Sequence, residues 1–442
     1  IHPATDIPQY NQDIVHNQVR RQGAMKQKPG KPRHHYEEPP AESSYTRRLI
    51  FETGHPMKGP EPLAAMDYRE ELRCKDRAFS SYWYDISGDC AASPLIASPL
   101  PRQYRTTTKR RVHTQGGRVI LSSDESSLSD SPSLLEPEFH AVMYSKLSAM
   151  LNETANRRIS GFLNFVILRG NYESAAVIFN ATVMNSETVK SLTKIADQLK
   201  ESSDRLTAAF IYHDPEGSKY YLNTSSEIEG HRMKRLFGNR NLSIKVQDVL
   251  YTFAPDSFSQ VNLSICGAML TTAEHLLSHE GKGRLLDLYC GYGFFSCYLG
   301  KQYDEVTGID YGKTAIDSAR ENMKHTTPRG RWDFHAKRIE KRLLREILPQ
   351  GRLPEYILLD PPRNGTAPGV IETLADRGPE LVLHIFCGLE TIPYELEKWD
   401  RGGYRPAACV PLDMFPGTPE LEVMVLLKRF RSPKTGHGKR GR

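Results

Sequence analysis

The chain has 442 residues, of which 38% are hydrophobic and 25% charged, and its formal net charge is +6. At about 150 residues per domain this length allows roughly two or three domains, and the low apolar share predicts that part of the chain lies outside a packed core. No apolar run approaches the roughly 18 residues of a membrane span, which argues against an integral membrane protein and a membrane partner. Seven cysteines without a C-x-x-C pair argue against a disulfide framework and against a metal or iron–sulfur site built on cysteine.

The first hundred residues differ in composition from the rest. They are rich in Pro, Gln, His, Arg and Ser, and only residues 62–77 have a helical pattern. A segment of this composition cannot bury a core of its own, so we expect residues 1–100 to form a long extended polar arm that lies on a partner. The chain begins at Ile1 rather than Met, which a removed targeting peptide and a longer chain explain equally well.

Positive charge is concentrated in two stretches that contain no acidic residue. Residues 102–118 hold six Lys and Arg, and residues 428–442 hold seven. Such clusters suit a polyanion such as RNA, although a solvated tail explains the C-terminal run equally well. The acidic, Ser-rich run at 122–132 is typical of a linker. We therefore predict a basic segment and linker at 101–135 and a basic tail at 431–442.

The remainder of the chain alternates between helical and strand patterns. Residues 136–250 predict a small α/β domain, and residues 251–430 predict a larger one. The regular alternation in the larger domain is typical of a doubly wound parallel sheet, whose functional residues follow the carboxyl ends of its strands. The predicted helices are 136–152, 187–201, 263–278, 294–301, 313–324 and 391–399. The predicted strands are 159–169, 174–181, 207–213, 219–223, 284–289, 305–309, 356–359, 381–386 and 422–428.

A strand, a glycine loop and a helix form the first motif, at 285–295 (LLDLYCGYGFF). Gly291 and Gly293 allow a ligand to approach the backbone at the start of the helix. The next strand ends in Asp310, an acid that can accept hydrogen bonds from both ribose hydroxyls of an adenosine-containing ligand. Ser296 takes the place of the third glycine of a dinucleotide fingerprint, so the motif favours S-adenosylmethionine over NAD. The structural alternative for Asp310 is a helix N-cap.

Three more polar groups stand beside apolar strands. Asp360 opens the run DPPRNG at 360–365, in which paired prolines make a rigid bend, although a turn with an Asp–Arg ion pair explains this run as well. Cys387 follows a strand and precedes Gly388, as either a nucleophile or a small buried cysteine would. Glu422 lies among apolar residues, where burial raises a carboxyl pKa toward that of a general base, unless the side chain faces outward on an edge strand.

These motifs together resemble the RNA uracil-5-methyltransferase family, which includes bacterial tRNA and ribosomal RNA uridine C5-methyltransferases. The resemblance covers about residues 100–430. It is carried by SFSQVN at 257–262, DLYCG at 287–291, DPPR at 360–363, Cys387 and Glu422. It implies a class I methyltransferase domain, a smaller RNA-binding α/β domain and S-adenosylmethionine as the methyl donor. The cysteine set of the members that carry an iron–sulfur cluster is missing, so we expect no cluster.

The resemblance also implies roles for individual residues. Cys387 corresponds to the nucleophile and Glu422 to the base. The expected S-adenosylmethionine site consists of Gln260, Tyr289, Asp310 and Asp360, together with the loop glycines Gly291 and Gly293. The residues expected to contact RNA are Tyr104, Arg105, Lys109, Arg110, Arg111 and Arg363. The chain departs from the family pattern at Gly388-Leu389, where Asn-Pro is usual, and at Phe294, where a polar residue is usual.

Two functional hypotheses follow. The first is an S-adenosylmethionine-dependent uridine C5-methyltransferase acting on structured RNA, either tRNA or rRNA. In it Cys387 adds to C6 of a uracil that has left its stack, C5 takes the methyl group, and Glu422 removes the C5 proton. The second is a weak or inactive methyltransferase-fold scaffold in a large ribonucleoprotein, such as an organellar ribosome under assembly, which residues 1–100 contact. We expect a mitochondrial location, with the cytoplasm or nucleus as alternatives.

Overall fold

The computed structural model describes residues 44–123, 133–217, 222, 233–326, 330–349 and 353–430. The helices are α1 Ser44–Thr53, α2 Tyr68–Ser87, α3 Glu138–Asn152, α4 Arg157–Ser160, α5 Ser186–Glu201, α6 Leu263–Leu276, α7 Phe294–Leu299, α8 Lys313–Lys324, α9 Lys341–Ile347, α10 Val370–Arg377 and α11 Ile392–Arg401. The strands are β1 Thr107–Gln115, β2 Arg118–Ser122, β3 Leu163–Gly170, β4 Ala175–Ala181, β5 Leu206–His213, β6 Met233–Gly238, β7 Leu242–Val246, β8 Val249–Phe253, β9 Arg284–Leu288, β10 Glu305–Asp310, β11 Arg331–Ala336, β12 Glu355–Leu359, β13 Leu381–Phe386, β14 Tyr404–Leu412 and β15 Glu422–Arg429.

A seven-stranded sheet forms the larger unit. Its strand order is β11-β10-β9-β12-β13-β15-β14. The first five strands run parallel, whereas β15 pairs antiparallel with both β13 and β14. The central strands β9, β12 and β13 are almost entirely buried, as expected for a sheet covered on both faces. The prediction of a doubly wound parallel sheet is confirmed, with the difference that β15 pairs antiparallel with both of its neighbours.

A six-stranded sheet forms the smaller unit, in the order β2-β1-β3-β4-β5-β6. Helices α3 and α5 cover one of its faces, where Leu147 and Leu192 pack among the residues of β3 and β4. The other face shares an apolar core with the larger unit, to which Phe165, Ile178 and the β7–β8 hairpin contribute. The predicted smaller α/β unit is therefore present and packs against the larger sheet.

The prediction of a basic segment and linker at 101–135 is wrong for residues 107–122. These residues form the β1–β2 hairpin, and β1 pairs antiparallel with β3. The sequence of β1 lacks the alternation of apolar and polar residues that predicts a strand, because its buried positions include Thr108 and Arg110. The polar groups of both side chains form hydrogen bonds inside the protein. Residues 124–132 of the predicted linker lie outside the described residues.

The prediction of an extended arm at 1–100 is wrong for residues 44–100. Helices α1 and α2 form a layer that packs its apolar face, including Leu49, Phe79 and Trp83, against the seven-stranded sheet. An amphipathic helix needs only one apolar stripe, so a segment with few apolar residues can still be buried along one side. The predicted helix at 62–77 begins later, at the Asp67 N-cap, and ends at Gly88. Residues 1–43 lie outside the described residues.

Several smaller elements are absent from the sequence-based prediction, namely β6, β7, β8, β11, β14, α1, α4, α9 and α10. The predicted strand at 219–223 lies outside the described residues apart from Leu222. All seven cysteines lie in the described part of the chain, and each is a free thiol. In the same part of the chain, no helix has the length and apolar character to cross a membrane, and no group of His, Cys, Asp and Glu is arranged to hold a metal ion.

Candidate active site

The candidate site lies at the carboxyl ends of the parallel strands. The loops after β9, β10, β12 and β13 carry Tyr289–Gly293, Asp310, Asp360 and Cys387 in turn. Register pairs place these strand ends at one level, since Leu288 is aligned with both Ile309 and Leu359. Residues that are far apart in the sequence therefore converge at one edge, as expected for a doubly wound sheet.

The glycine loop after β9 needs left-handed backbone at three positions. Tyr289 has φ +66°, Gly291 +53° and Gly293 +82°. A Cβ on Gly291 would meet nothing within 4 Å, whereas one on Gly293 would lie 3.1 Å from the Cys297 sulfur. Only Gly291 therefore faces open space that a ligand can enter. At Gly293 the missing side chain allows close packing at the start of α7, and its predicted contact with the cofactor stays a prediction.

Asp310 ties this loop to the neighbouring strand. One carboxylate oxygen accepts the backbone N–H of Gly291 at 3.0 Å, and the other accepts that of Gly312 at 2.7 Å. Gly312 is the N-cap residue of α8, so the predicted capping alternative describes part of what Asp310 does. Each carboxylate oxygen retains a lone pair for a further donor, and burial raises the pKa of Asp310.

Three carboxyl groups, those of Asp287, Asp310 and Asp360, lie close enough in this site for their charges to affect one another. Asp287 is fully buried and accepts the N–H and hydroxyl of Ser296, while its Oδ1 has no hydrogen-bond partner among the described residues. Burial raises the pKa of Asp287 to about 7. Burial, reinforced by Asp287 and Asp310, raises the pKa of Asp360 to about 7. Such crowding favours a cationic ligand, because a positive charge relieves the repulsion between neighbouring carboxylates.

Cys387 and Glu422 lie at the same end of the antiparallel pair formed by β13 and β15. The last aligned residues of this pair are Phe386 and Val423. Cys387 directly follows Phe386 and Glu422 directly precedes Val423, and the charge of Glu422 contributes to the raised pKa of the Cys387 thiol. The Cys387 sulfur also lies 3.8 Å from the carbonyl oxygen of Pro361. The thiol, the carboxyl group and the loop that carries Asp360 therefore belong to one site.

The environment opposes ionisation of both groups. Burial, with smaller contributions from Glu422 and Asp360, raises the pKa of the Cys387 thiol to about 12. Burial and then Asp360 raise the pKa of Glu422 well above its ordinary value. Arg363 acts in the opposite direction on both pKa values. Its side chain is 59% exposed and lies 3.4 Å from Glu420, so it is open to solvent beside the site.

A buried polar cluster supports the loop that begins at Asp360. The Glu395 carboxylate accepts the N–H and hydroxyl of Thr366, at 2.8 and 2.7 Å, and lies 3.1 Å from His384. Trp399 donates to the other nitrogen of His384 at 3.1 Å. Although burial acts against ionisation of Glu395, its hydrogen bonds and His384 lower its pKa to about 2. This cluster fixes the loop from beneath without entering the cleft.

Gly388 has a steric role next to the thiol. A Cβ at this position would lie 2.6 Å from the carbonyl oxygen of Arg363, a distance that real Cβ atoms do not adopt. The backbone after Cys387 can therefore approach the Asp360 loop only because position 388 is glycine. The departure from the family pattern at this position has a local packing explanation. Phe294 is the second position that departs from the family pattern. Its side chain is buried, and its backbone carbonyl accepts a hydrogen bond from the Tyr251 hydroxyl at 2.8 Å.

The segment 257–262 contacts α8 and the chain that follows β14, through hydrogen bonds of Ser257 to Thr314 and of Asn262 to the Met414 carbonyl. Gln260 is buried, and Asn262 caps α6 by accepting the N–H of Ser264 at 3.2 Å. Arg105 is bridged to Asn262, which places this predicted RNA contact beside the segment. Phe258 is 66% exposed. The sequence analysis missed Phe258, although an aromatic residue beside Gln260 in the quoted motif is a visible signal.

Two predicted RNA contacts are wrong. Tyr104 is fully buried, and its hydroxyl donates to the carbonyl of Pro416 at 3.0 Å. Arg110 is buried in an ion pair with both oxygens of Glu136, at 2.5 and 2.7 Å. Both side chains are therefore buried and bonded to other parts of the protein, so they are not available to contact RNA. Lys109 and Arg111 lie on the other face of β1, half-buried and 5.4 and 5.3 Å from the Phe165 ring centre, so their predicted role stays a prediction.

Comparison with known proteins agrees with this geometry. The model of the tRNA (uracil-5-)-methyltransferase family matches residues 195–329. The tRNA (uracil(54)-C(5))-methyltransferase of Pyrococcus horikoshii is 28% identical over 273 residues, which are 61% of this chain and 59% of that protein. An uncharacterized RNA methyltransferase of Geobacter sulfurreducens is 25% identical over 382 residues, which are 83% of this chain and 74% of that protein.

These matches confirm the resemblance to the RNA uracil-5-methyltransferase family. A crystal structure of the Pyrococcus abyssi tRNA (uracil-54, C5)-methyltransferase with S-adenosyl-L-homocysteine has the same fold, with a TM-score of 0.62 and 22% identity over 84% of this chain and 86% of that one.

The family match covers some of the candidate site residues but not all of them. It includes the glycine loop and Asp310 but ends before Asp360, Cys387 and Glu422. The predicted roles of these last three residues therefore rest on the resemblance in their motifs and on their positions in the fold. The chain also spans only 59% of the length of the Pyrococcus horikoshii relative.

Proposed function

We propose that the chain is an S-adenosylmethionine-dependent methyltransferase that modifies C5 of a uridine in structured RNA. The observation that carries this proposal is the pairing of β13 and β15, whose last aligned residues, Phe386 and Val423, bring the neighbouring thiol of Cys387 and the buried carboxyl group of Glu422 to the same end of the strand pair. A thiol and a base within reach of two adjacent ring atoms are what addition at C6 and proton removal at C5 require.

The cleft fits S-adenosylmethionine. The open face of Gly291 leaves room for the ligand beside the backbone, and Asp310 retains lone pairs for two ribose hydroxyls. The carboxyl groups of Asp287 and Asp360, whose pKa values are raised to about 7, favour a ligand that carries positive charge. When bound, S-adenosylmethionine supplies the methyl group from its sulfonium.

Cys387 activates the uracil. Its thiolate forms a bond to C6, and the electron pair of the C5–C6 double bond moves so that C5 becomes the carbon that takes the methyl group. Burial opposes ionisation of this thiol, while Arg363 favours it. The electrostatic role of Arg363 is therefore to increase the fraction of thiolate.

Glu422 completes the reaction. After C5 has taken the methyl group, it still carries its original hydrogen, and the ring is still bonded to Cys387. The Glu422 carboxylate removes the C5 proton, the double bond reforms, and the C6–S bond breaks to return the thiolate. The strand pairing that brings Glu422 and Cys387 to the same end of β13 and β15 keeps the base within reach of the atom adjacent to the bonded carbon.

RNA is the substrate class that best fits the surroundings. Arg105 and Arg363 lie beside the site, and Phe258 offers an exposed ring on which a base can stack. A structured RNA must extrude its target base to bring C6 to a thiol in a cleft. Both tRNA and rRNA fit this proposal, and the activity assay below distinguishes them.

No comparison favours the alternative of an inactive scaffold, and the altered flank of Cys387 is explained by the close approach of Gly388 to Arg363. The proposal is tested by incubating the chain with S-adenosylmethionine and unmodified tRNA or rRNA transcripts, followed by nucleoside mass spectrometry. We expect 5-methyluridine in one of the two RNA classes. A methyl group on another base or another atom of uracil would contradict it.

Replacing Asp310 by alanine is expected to weaken S-adenosylmethionine binding by about 1.5–3 kcal/mol, because charge-assisted hydrogen bonds to the ribose are lost. Isothermal titration calorimetry measures the change. Asp317→Ala, on the exposed face of α8, is the matched control and should bind as the parent does. Equal affinities of the Asp310 variant and the parent, in proteins with the same melting temperature, would remove Asp310 from the binding site.

Replacing Arg363 by glutamine is expected to shift the rising limb of the pH–kcat/KM profile to higher pH. Arg363 lowers the pKa values of Cys387 and Glu422, so without it both groups ionise at higher pH. Because the side chain is largely exposed, the shift should stay below about 1 pH unit. Arg363→Lys keeps the charge and should retain the parent profile. A uniform loss at all pH values would mean that Arg363 contacts RNA without tuning the thiol.

A further inference from the structure

We propose that helix α2 is a positioning element for both halves of the active site. Tyr82 fixes the backbone that follows Cys387, and Lys75 fixes the connection that leads to Glu422. This inference rests on the proposed function, because it assigns the two contacts to the two chemical steps of uridine methylation.

The contact to the nucleophile side is a single hydrogen bond. The Tyr82 side chain is buried, and its hydroxyl donates to the carbonyl oxygen of Leu389 at 2.5 Å. Leu389 begins the short 3-10 turn Leu389–Thr391 directly after Cys387 and Gly388. Thr391 closes this turn by donating its hydroxyl to the Gly388 carbonyl at 2.8 Å. Tyr82 therefore holds the turn at the point where the thiol-bearing backbone leaves the sheet.

The contact to the base side is an ion cluster. Lys75 is 0% exposed, and its amine lies 2.8 Å from an oxygen of Asp413 and 2.7 Å from an oxygen of Glu71. Asp413 directly follows Leu412, and Leu412 is the ladder partner of Glu422. Asp413, the carboxylate that Lys75 contacts, is therefore adjacent in the chain to the residue that pairs with Glu422.

Other residues of the N-terminal region form hydrogen bonds with the segment 413–421, which connects β14 to β15. Glu71 accepts the backbone N–H of Gly417 at 2.6 Å, and the Gly417 carbonyl accepts the N–H of Leu63 at 3.0 Å. The Tyr104 hydroxyl binds the neighbouring Pro416 carbonyl. In α2, Lys75 lies four residues after Glu71 and seven residues before Tyr82, so all three side chains lie on one face of the helix.

Stability alone does not account for this cluster. The layer already buries a large apolar face, and replacing buried ion pairs with apolar side chains is often neutral or stabilising. Buried charges need particular partners at particular distances, which gives the connection one defined arrangement. We therefore infer that the cluster serves the position of the 413–422 connection, and hence of Glu422.

Two RNA substrates separate the two roles. With ordinary uridine, release of the enzyme requires Glu422 to remove the C5 proton, so a misplaced base leaves the methylated, Cys387-linked RNA adduct uncleaved. With 5-fluorouridine, C5 carries no proton to remove, so every enzyme stops at the adduct. The rate of adduct formation then reports the Cys387 side alone. Denaturing gels measure the adduct on each RNA.

Lys75→Met is expected to raise the steady-state adduct on uridine RNA by about tenfold, as a weakened base step requires, and to form the 5-fluorouridine adduct at the parent rate. Asp413→Asn tests the same contact while the Lys75–Glu71 pair stays intact, and it stands in for Lys75→Met if that variant does not fold. Arg77→Met, an exposed cation on the same helix, is the matched control and should behave as the parent.

Tyr82→Phe is expected to slow formation of the 5-fluorouridine adduct by about tenfold without accumulation of adduct on uridine RNA. Tyr84→Phe removes the same hydroxyl from a residue that is 74% exposed and should behave as the parent. A merely structural role of α2 would slow both assays together in proportion to lost folded protein, and this result would overturn the inference.

The reference variant Glu422→Gln separates failure of the inference from failure of the proposed function. If Glu422→Gln accumulates adduct on uridine RNA but Lys75→Met and Asp413→Asn do not, α2 does not position the base. If neither Glu422→Gln nor the parent forms an adduct on any uridine or 5-fluorouridine RNA, the proposed chemistry itself is wrong.

Discussion

Replacing Cys387 by alanine should reduce methyl transfer to background, a loss of about 10⁴-fold or more. The thiolate is the only group in the described site that can add to C6, and uracil C5 is too weak a nucleophile to take the methyl group unaided. Binding of S-adenosylmethionine should stay within about twofold of the parent, because the thiol lies across the cleft from the glycine loop. Transfer of a tritiated methyl group to RNA and calorimetry measure the two effects.

Cys90→Ala is the matched control for this experiment. Cys90 is a half-buried thiol in the N-terminal layer, and burial raises its pKa to about 11, so it resembles Cys387 in exposure and in acidity. We expect the control to keep full activity. Turnover by the Cys387 variant above background would exclude a covalent route through this residue.

Replacing Glu422 by glutamine should lower turnover by about 10²–10⁴-fold and leave a covalent adduct between the protein and methylated RNA. The amide has nearly the same size and polarity but cannot take the C5 proton. The steps before proton removal continue, so enzyme collects in the bonded form. Denaturing gels show the adduct, and mass spectrometry of the linked nucleotide shows whether the methyl group has been added.

Glu420→Gln provides the matched control for the Glu422 experiment. Glu420 lies two residues away and contacts the exposed Arg363, so its charge is near the site while its carboxylate faces solvent. This variant should turn over without accumulating adduct. Loss of activity in the Glu422 variant with no adduct on any RNA would assign proton removal elsewhere and give Glu422 a role before methyl transfer.

The sequence alone located five of the seven strands of the larger sheet, namely β9, β10, β12, β13 and β15. Its strands are short apolar runs that end in polar residues, and helices with clear periodicity separate them, so residues 313–324 and 381–386 are predicted with the bounds that the structure has. The same local pattern located Asp310, Asp360 and Cys387, because functional residues of a doubly wound sheet lie at the carboxyl ends of its strands, whereas Glu422 is the first residue of the antiparallel strand β15. These motif residues could be identified from short stretches of sequence, without knowing which distant segments contact them.

Only the tertiary structure decided what the polar residues of the N-terminal third do. Arg110 and Tyr104 resemble surface residues in the sequence, yet both are buried because Glu136 and the Pro416 carbonyl reach them from distant segments. The predictions for residues 1–43, for the basic tail at 431–442, for a ribonucleoprotein partner and for a mitochondrial location stay predictions.

The largest difference between sequence and structure concerns α2. A hundred residues with few periodic apolar stretches predict an arm without a core, but a helix needs only one apolar stripe and a surface that accepts it. That surface is formed by strands more than 200 residues later in the chain. The pairing of Lys75 with Asp413 spans 338 residues. No local pattern specifies such a pair, because its partners become neighbours only when the sheet has formed.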